Sequence, residues 1–231
     1  METITTCIFD LDGVLVDTAK YHYLAWKRLA NQLGFDFTQD HNERLKGVSR
    51  MRSLEILLEV GKVTLSEAEK IKYAEIKNKW YVDFVTKMKP DEIFPGVINF
   101  LSELKQHHIK IVLGSASKNA LTILDQLQIT HFFDAIIDGN SVTHAKPNPE
   151  VFLQGAKAVK ANPENCVVFE DAVAGIEAAL NANMKCIGVG DKKTLNKAHM
   201  VISGFEKTKY KKLIDKLKNE LFETNISNLT H

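Results

Sequence analysis

The sequence predicts an α/β protein: a doubly wound parallel sheet, interrupted after its first strand by an inserted helical domain. Three observations carry this. A short β-like run, Ile4 to Phe9, opens the chain and ends at Asp10. From about Ala19 to Lys87 the apolar spacing turns helical, with no convincing strand. Beyond the turn-rich Lys89-Pro90-Asp91, apolar runs and helical patterns alternate, the order that winds a parallel sheet with helices on both faces. The 231 residues exceed an average domain of roughly 150. A core at 1–15 and 89–231 with a helical insert at 16–88 accommodates the excess, and the crossings near Leu15–Thr18 and Met88–Pro95 would serve as hinges.

Each element has its own signal. Trp26, Leu29, Ala30 and Leu33 form one face of the first helix, and Gly34 stops it. Ser66 with Glu69 makes a capping box, followed by Tyr73, Ile76, Trp80 and Phe84 at helical spacing. A helix carrying Val97, Phe100, Leu101 and Leu104 precedes a strand at Ile109–Leu113. Leu121, Leu124 and Leu127 mark the next helix, and Ala135–Ile137 the next strand. Asn148-Pro149 opens a further helix, with Asn as its cap and Pro in its first turn. Strand Cys166–Phe169, a helix with Ile176, Ala179 and Leu180, and strand Cys186–Val189 follow. A Lys-rich surface helix from Tyr210 to Leu221 ends the pattern, and a polar tail is expected after it.

Composition excludes several classes. An apolar fraction of 45% and a charged fraction of 26% are those of an ordinary globular chain. Thirty basic against 29 acidic residues leave +1, so no global field draws nucleic acid or an anionic membrane. No apolar run approaches the roughly 20 residues of a membrane span. The opening METITTCIFDLDG has no basic n-region, and two aspartates interrupt its only apolar stretch, so a cytoplasmic protein is expected. Cys7, Cys166 and Cys186 are few, odd in number and far apart; they read as small buried hydrophobes in strands. The motifs Asn225-Ile226-Ser227 and Asn228-Leu229-Thr230 fit a glycosylation pattern that means nothing without export.

Ligands of an open parallel sheet bind beyond the carboxyl ends of its strands. Asp10-Leu11-Asp12-Gly13, Gly114-Ser115, the loop leading to Lys146, and Glu170-Asp171 all fall at such ends. Carboxylates around a hard cation suggest Mg²⁺. A lysine and a hydroxyl, with the N–H groups of a helix start at Ser115–Lys118, suit a phosphoryl group. An aspartate beside both is a candidate nucleophile, and a second aspartate two residues on can act as general acid/base.

These residues are similar to a known family. Phe9-Asp10-Leu11-Asp12-Gly13-Val14 resembles the nucleophile motif of the haloacid dehalogenase superfamily, and Ser115, Lys146 and Glu170-Asp171 fall where its other three motifs lie, in order. The resemblance implies a Rossmann-like core with an inserted cap domain. It implies that Asp10 is the nucleophile and Asp12 the general acid/base. Asp10, the main-chain carbonyl of Asp12, and Asp171 would bind Mg²⁺, with Glu170 nearby. Ser115, the N–H of Ala116, and Lys146 would hold the transferring phosphoryl.

The insert narrows the resemblance. Lys46-Gly47-Val48-Ser49-Arg50, Lys77-Asn78, the entrance residues Thr18, His22 and Trp26, and Ser115-Ala116-Ser117-Lys118-Asn119 are similar to one branch of the superfamily. That branch interconverts β-D-glucose 1-phosphate and D-glucose 6-phosphate through an aspartyl-phosphate and β-glucose 1,6-bisphosphate. Here this implies that Arg50, Ser117 and Asn119 form a second phosphate site, while His22 and Lys46 flank Asp12 or a sugar hydroxyl. Ala172 departs from the branch, where a serine is usual. The implied partners are small sugar phosphates, with neither nucleic acid nor membrane, and the chain is expected to be a monomer. A sugar-phosphate phosphatase with the same core is the alternative.

Overall fold

A computed structural model of the protein describes residues 3–45 and 48–229, with side chains described as far as Leu221. Lys46 and Gly47, both expected at the site, therefore lie outside the described residues. Six short runs form strands: β1 Thr6–Phe9, β2 Lys110–Gly114, β3 Ala135–Ile137, β4 Cys166–Glu170, β5 Lys185–Val189 and β6 Met200–Ile202. All pair in parallel, in the order β3-β2-β1-β4-β5-β6. From β1 the chain steps outward to β2 and β3, then returns to the other side for β4, β5 and β6. The reversal falls between β1 and β4, so a crevice opens beyond their carboxyl ends.

The strands are apolar because both sheet faces are covered. Cys7 and Phe9 of β1 join Ile111, Leu113, Val167, Phe169 and Ile187 on one face. Helices α5 (Val97–Gln106), α6 (Ala120–Gln126) and α9 (Tyr210–Leu229) pack there through Phe100, Leu101, Ile123, Leu124, Leu213 and Leu217. Ile8, Val112, Val168 and Cys186 point the other way, onto Phe152 of α7 (Glu150–Ala158) and onto Ile176 and Ala179 of α8 (Val173–Asn181). Phe9 and Phe169 stack across the β1–β4 junction with centroids 4.7 Å apart. All three cysteines are buried, free strand residues.

Between β1 and α5 run four helices: α1 Ala19–Gln32, α2 Gln39–Glu43, α3 Arg50–Gly61 and α4 Glu67–Val85. They share a cluster of their own, built on Trp26, Leu29, Phe37, Leu54 and Leu57. Ser66 and Glu69 cap α4 reciprocally, and Ser49 caps α3 by accepting from Arg52 N at 3.3 Å. The two crossings are laced together: Val16 bridges Ile93, and Phe94 N donates to Leu15 O at 3.0 Å. Glu92 accepts from both Lys20 Nζ and the Tyr21 hydroxyl, beside the same crossings. No helix among the described residues is long and apolar enough to cross a membrane.

Several sequence expectations are corrected. The buried stripe of α4 is Ala74, Lys77, Tyr81 and Val85, about one residue round from Tyr73, Ile76, Trp80 and Phe84, which are half-buried. Aromatic bulk marked the helix but not its innermost line, because Tyr and Trp straddle a boundary. Leu121 is exposed, and α6 buries Ala120, Ile123 and Leu124 instead. α7 is capped at Pro149 rather than Asn148, whose side chain accepts from Glu150 N at 3.0 Å. Ser115–Lys118 is a turn, since α6 begins only at Ala120. The polar tail is helical: α9 continues through Leu229, while Thr230 lies outside the described residues. β6 went unrecognised because a three-residue edge strand has too few positions to show a period.

Candidate active site

Asp10 directly follows β1 and Glu170 ends β4, so the reversal of the sheet sets the two carboxylates side by side. Lys146 reaches between them from the loop after β3. Its Nζ donates to Asp10 Oδ1 at 2.6 Å and to Glu170 Oε1 at 2.5 Å, with 5% of its side chain exposed. Burial works against the ammonium, but the two carboxylates outweigh it and hold its pKa above the ordinary lysine value. Glu170 Oε2 also accepts from Ala172 N at 2.9 Å. That bond is made by the main chain, so alanine in place of the usual serine leaves it intact.

Two glycines, Gly13 and the unanticipated Gly175, make room for these acids. Gly13, at φ +82°, lies so close to Asp171 that a Cβ there would fall inside the carboxylate. A Cβ on Gly175, in the first turn of α8, would overlap the Glu170 carboxylate. Spacing alone could not find Gly175, because only the sheet order brings α8 against the end of β4.

Asp12 lies half-buried on the loop after β1, and its Oδ1 accepts a hydrogen bond from the buried Thr18 hydroxyl at the start of α1. Its pKa is pushed up to about 8, first by burial and then by the charge of Asp10. Asp171 is likewise pushed up to about 8 by burial, reinforced by Glu170, Asp10 and Asp12. One ammonium thus serves four acidic groups. Lys146 does not offset the repulsion and burial that raise Asp12 and Asp171.

Ser115 directly follows β2, fully enclosed, and accepts from Ser117 N at 3.1 Å. Ser117 Oγ accepts from Asn119 N at 3.3 Å, which folds Ser115 through Asn119 into a turn with Ala116 exposed at its outside. The next loop braces this turn: Gly139 N donates to Ser117 O at 3.1 Å, and Asn140 Nδ2 donates to Lys118 O at 3.0 Å. A second brace, also missed, is Glu150. It accepts from Thr143 N at 3.1 Å and His144 N at 2.8 Å, tying the strand side of the Lys146 loop to α7. Those N–H groups hold its pKa down to about 2.

The helical segment supplies the opposite wall. Asn119 Nδ2 donates to Asn78 Oδ1 of α4 at 3.2 Å, a direct link between the turn and the insert. Lys77 is 2% exposed, with its Nζ 2.9 Å from His22 Nδ1 and 4.4 Å from the Trp26 ring centre. Burial and the nearby Arg50 push Lys77 well below the ordinary lysine pKa, while Asp12 opposes them. Burial, Lys77 and Arg50 likewise hold His22 well below the usual imidazole value. Arg50, half-buried at the first position of α3, is lowered by burial too. Ser49 and Val48 are exposed before it. The structure therefore brings Asp10, Lys146, Glu170, Asp171 and Asp12 together on the sheet side, and His22, Lys77 and Arg50 together on the helical side.

A sheet of this order, with paired aspartates after its first strand and a lysine bridging to the fourth, defines a class. The chain belongs to the haloacid dehalogenase-like hydrolases, whose pattern it matches over residues 7–189. A β-phosphoglucomutase of Bacillus subtilis (strain 168) is 43% identical over 197 residues, 84% of this chain and 87% of that relative. The crystal structure of a β-phosphoglucomutase from Clostridium difficile is 44% identical, with a TM-score of 0.89 over 95% of this chain and 100% of that one. A phosphorylated carbohydrates phosphatase of Thermotoga maritima is 33% identical over 183 residues, 78% of this chain and 82% of its own.

Membership of the family implies a divalent cation. The donors present are hard carboxylate oxygens whose mutual repulsion raises Asp171, and a divalent cation relieves that repulsion. Among the described residues no three acidic, histidine or cysteine side chains form a ready-made cage.

Proposed function

We propose that this chain is a Mg²⁺-dependent β-phosphoglucomutase, interconverting β-D-glucose 1-phosphate and D-glucose 6-phosphate. The observation that carries the reading is the pairing of an acidic sheet-side cluster with a basic helical wall, joined across the cleft by Asn119 and Asn78. A reaction that moves a phosphoryl between the two ends of one sugar needs both. The charged group must be gripped wherever it is not reacting.

In this reading residues 1–15 and 89–231 form the catalytic core and 16–88 a cap. Asp10 is the nucleophile that carries the phosphoryl. Asp10, the Asp12 main-chain carbonyl and Asp171 hold Mg²⁺, with Glu170 nearby, and the ion supplies charge neutralisation for the transferring group. Lys146, Ser115 and the Ala116 N–H grip that group's oxygens, which keeps Lys146 in the place Asp10 and Glu170 already give it. Arg50, Ser117 and Asn119 hold the other phosphate. Lys77 and His22, with Thr18, Trp26, Lys46, Gly47, Val48 and Ser49, shape the sugar pocket.

Two half-reactions then balance. Asp12 takes the proton of the sugar's 6-hydroxyl as its oxygen attacks phospho-Asp10, giving β-glucose 1,6-bisphosphate and free Asp10. The bisphosphate turns end for end. Asp10 attacks the phosphoryl on O1, and Asp12 returns its proton to that oxygen as the bond breaks, releasing glucose 6-phosphate and restoring phospho-Asp10. Closure of the cap over the sugar keeps water from the phospho-enzyme. The protein is proposed to act in the cytoplasm, as a monomer.

The test is a coupled assay for glucose 6-phosphate from β-glucose 1-phosphate, with Mg²⁺ and catalytic bisphosphate. Steady isomerisation is expected. The likeness to the Thermotoga maritima phosphatase names the competitor: no isomerisation, with rapid release of inorganic phosphate from sugar phosphates, would replace the mutase by a phosphatase.

A further inference from the structure

One buried polar atom at the cleft is unaccounted for. The Tyr81 side chain is 0% exposed, yet its hydroxyl has no hydrogen-bond partner among the described residues. Leaving a hydroxyl dry and unpaired costs free energy, so such atoms are rare in folded chains and mark a place where a partner arrives. Tyr81 stands on the innermost line of α4, one turn after Lys77. Its ring stacks on His22 with centroids 4.0 Å apart, and Lys77 Nζ lies 4.9 Å from its centre. The phenol is thus fixed on the sugar side of the insert. The Thr18 and Ser117 side chains lie near its hydroxyl, and the charges of Asp12 and Arg50 act on it in opposite senses.

Resting on the sugar-phosphate reading above, we propose that Tyr81 is a further substrate-binding residue, whose hydroxyl donates to the phosphate that is not being transferred. Ser117, one of the groups assigned to that phosphate, lies near the hydroxyl, and the charge of Arg50, another, acts on it. A phenol held by stacking loses little freedom when it binds. The free protein carries the cost of the dry hydroxyl, and the bound phosphate removes it.

The test is Tyr81→Phe, which keeps the ring and its stacking. Glucose 6-phosphate binding is measured by calorimetry with Mg²⁺, together with KM and kcat for β-glucose 1-phosphate and the melting temperature of the free protein. A hydrogen bond to a charged group predicts a Kd and KM raised about tenfold or more, with kcat changed far less. The free variant should melt no lower than the parent. Equal affinity for glucose 6-phosphate in the two proteins overturns the assignment of Tyr81 alone. A lower melting temperature also overturns it, because the hydroxyl would then have been paired in the free protein. A parent protein that binds no glucose 6-phosphate overturns both this assignment and the reading beneath it.

Discussion

At the scale of single residues, the site depends on side chains that are absent as much as on those present. Asp10 and Lys146 can be picked from the sequence because the chemistry demands an acid and an amine. Gly175 cannot, yet it leaves the volume in which Glu170 turns toward Lys146. Gly175→Ala is expected to keep the fold and displace the Glu170 carboxylate, loosening the Lys146 ammonium proposed to grip the transferring phosphoryl. Supporting groups of this kind typically cost about 10- to 100-fold when lost. A kcat/KM for β-glucose 1-phosphate within twofold of the parent would show that Glu170 does not position Lys146. Thr18 illustrates the other side. The sequence placed it at the entrance of the insert, while the structure adds that its hydroxyl holds the Asp12 carboxyl.

At the scale of elements, α4 shows how function intrudes on packing. Its start was legible from Ser66 and Glu69, because a capping box is local chemistry. Its inner face was not, because a lysine occupies the line where an apolar residue belongs. Lys77 is buried with an imidazole and aromatic rings for company, an arrangement that lowers stability unless an anion visits. Lys77→Met has similar length and no charge. It should raise the melting temperature by about 2–4 °C, the equivalent of about 1 kcal/mol in a chain of this size, while weakening sugar-phosphate turnover at least about tenfold. Thermal melts and steady-state rates on one preparation check both signs; a variant that is both less stable and fully active would contradict the account. The turn Ser115 to Asn119 shows the reverse case. The sequence suggested a helix start there, whereas the loop at Gly139 and Asn140 holds it as a turn.

At the scale of the whole molecule, everything proposed for catalysis depends on how the insert meets the sheet. The two crossings touch through Val16 and Ile93, and Glu92 gathers Lys20 and Tyr21 beside them. Glu92→Ala should ease separation of insert and core without touching the chemistry. A partly exposed ion pair is worth at most about 1 kcal/mol, so the partition of phospho-enzyme between water and sugar should move toward water by no more than about fivefold. The ratio of inorganic phosphate to glucose 6-phosphate formed is the measurement, and an unchanged ratio would show that Glu92 does not govern closure. The sequence by itself determined the fold class, five of the six strands of the sheet, the run of helices between the first strand and the second, and the acids and amine at the strand ends. Those features follow from local periodicity and from one topological rule, that parallel strands present their carboxyl ends together. Only the tertiary structure decided which residues meet: Lys146 between Asp10 and Glu170, Asn119 against Asn78 across the cleft, Tyr81 stacked on His22. It also decided which groups lose water, and hence that Asp12 and Lys77 depart from ordinary side chains of their kind. Burial is set by contacts between segments far apart in the chain, and no local pattern encodes it.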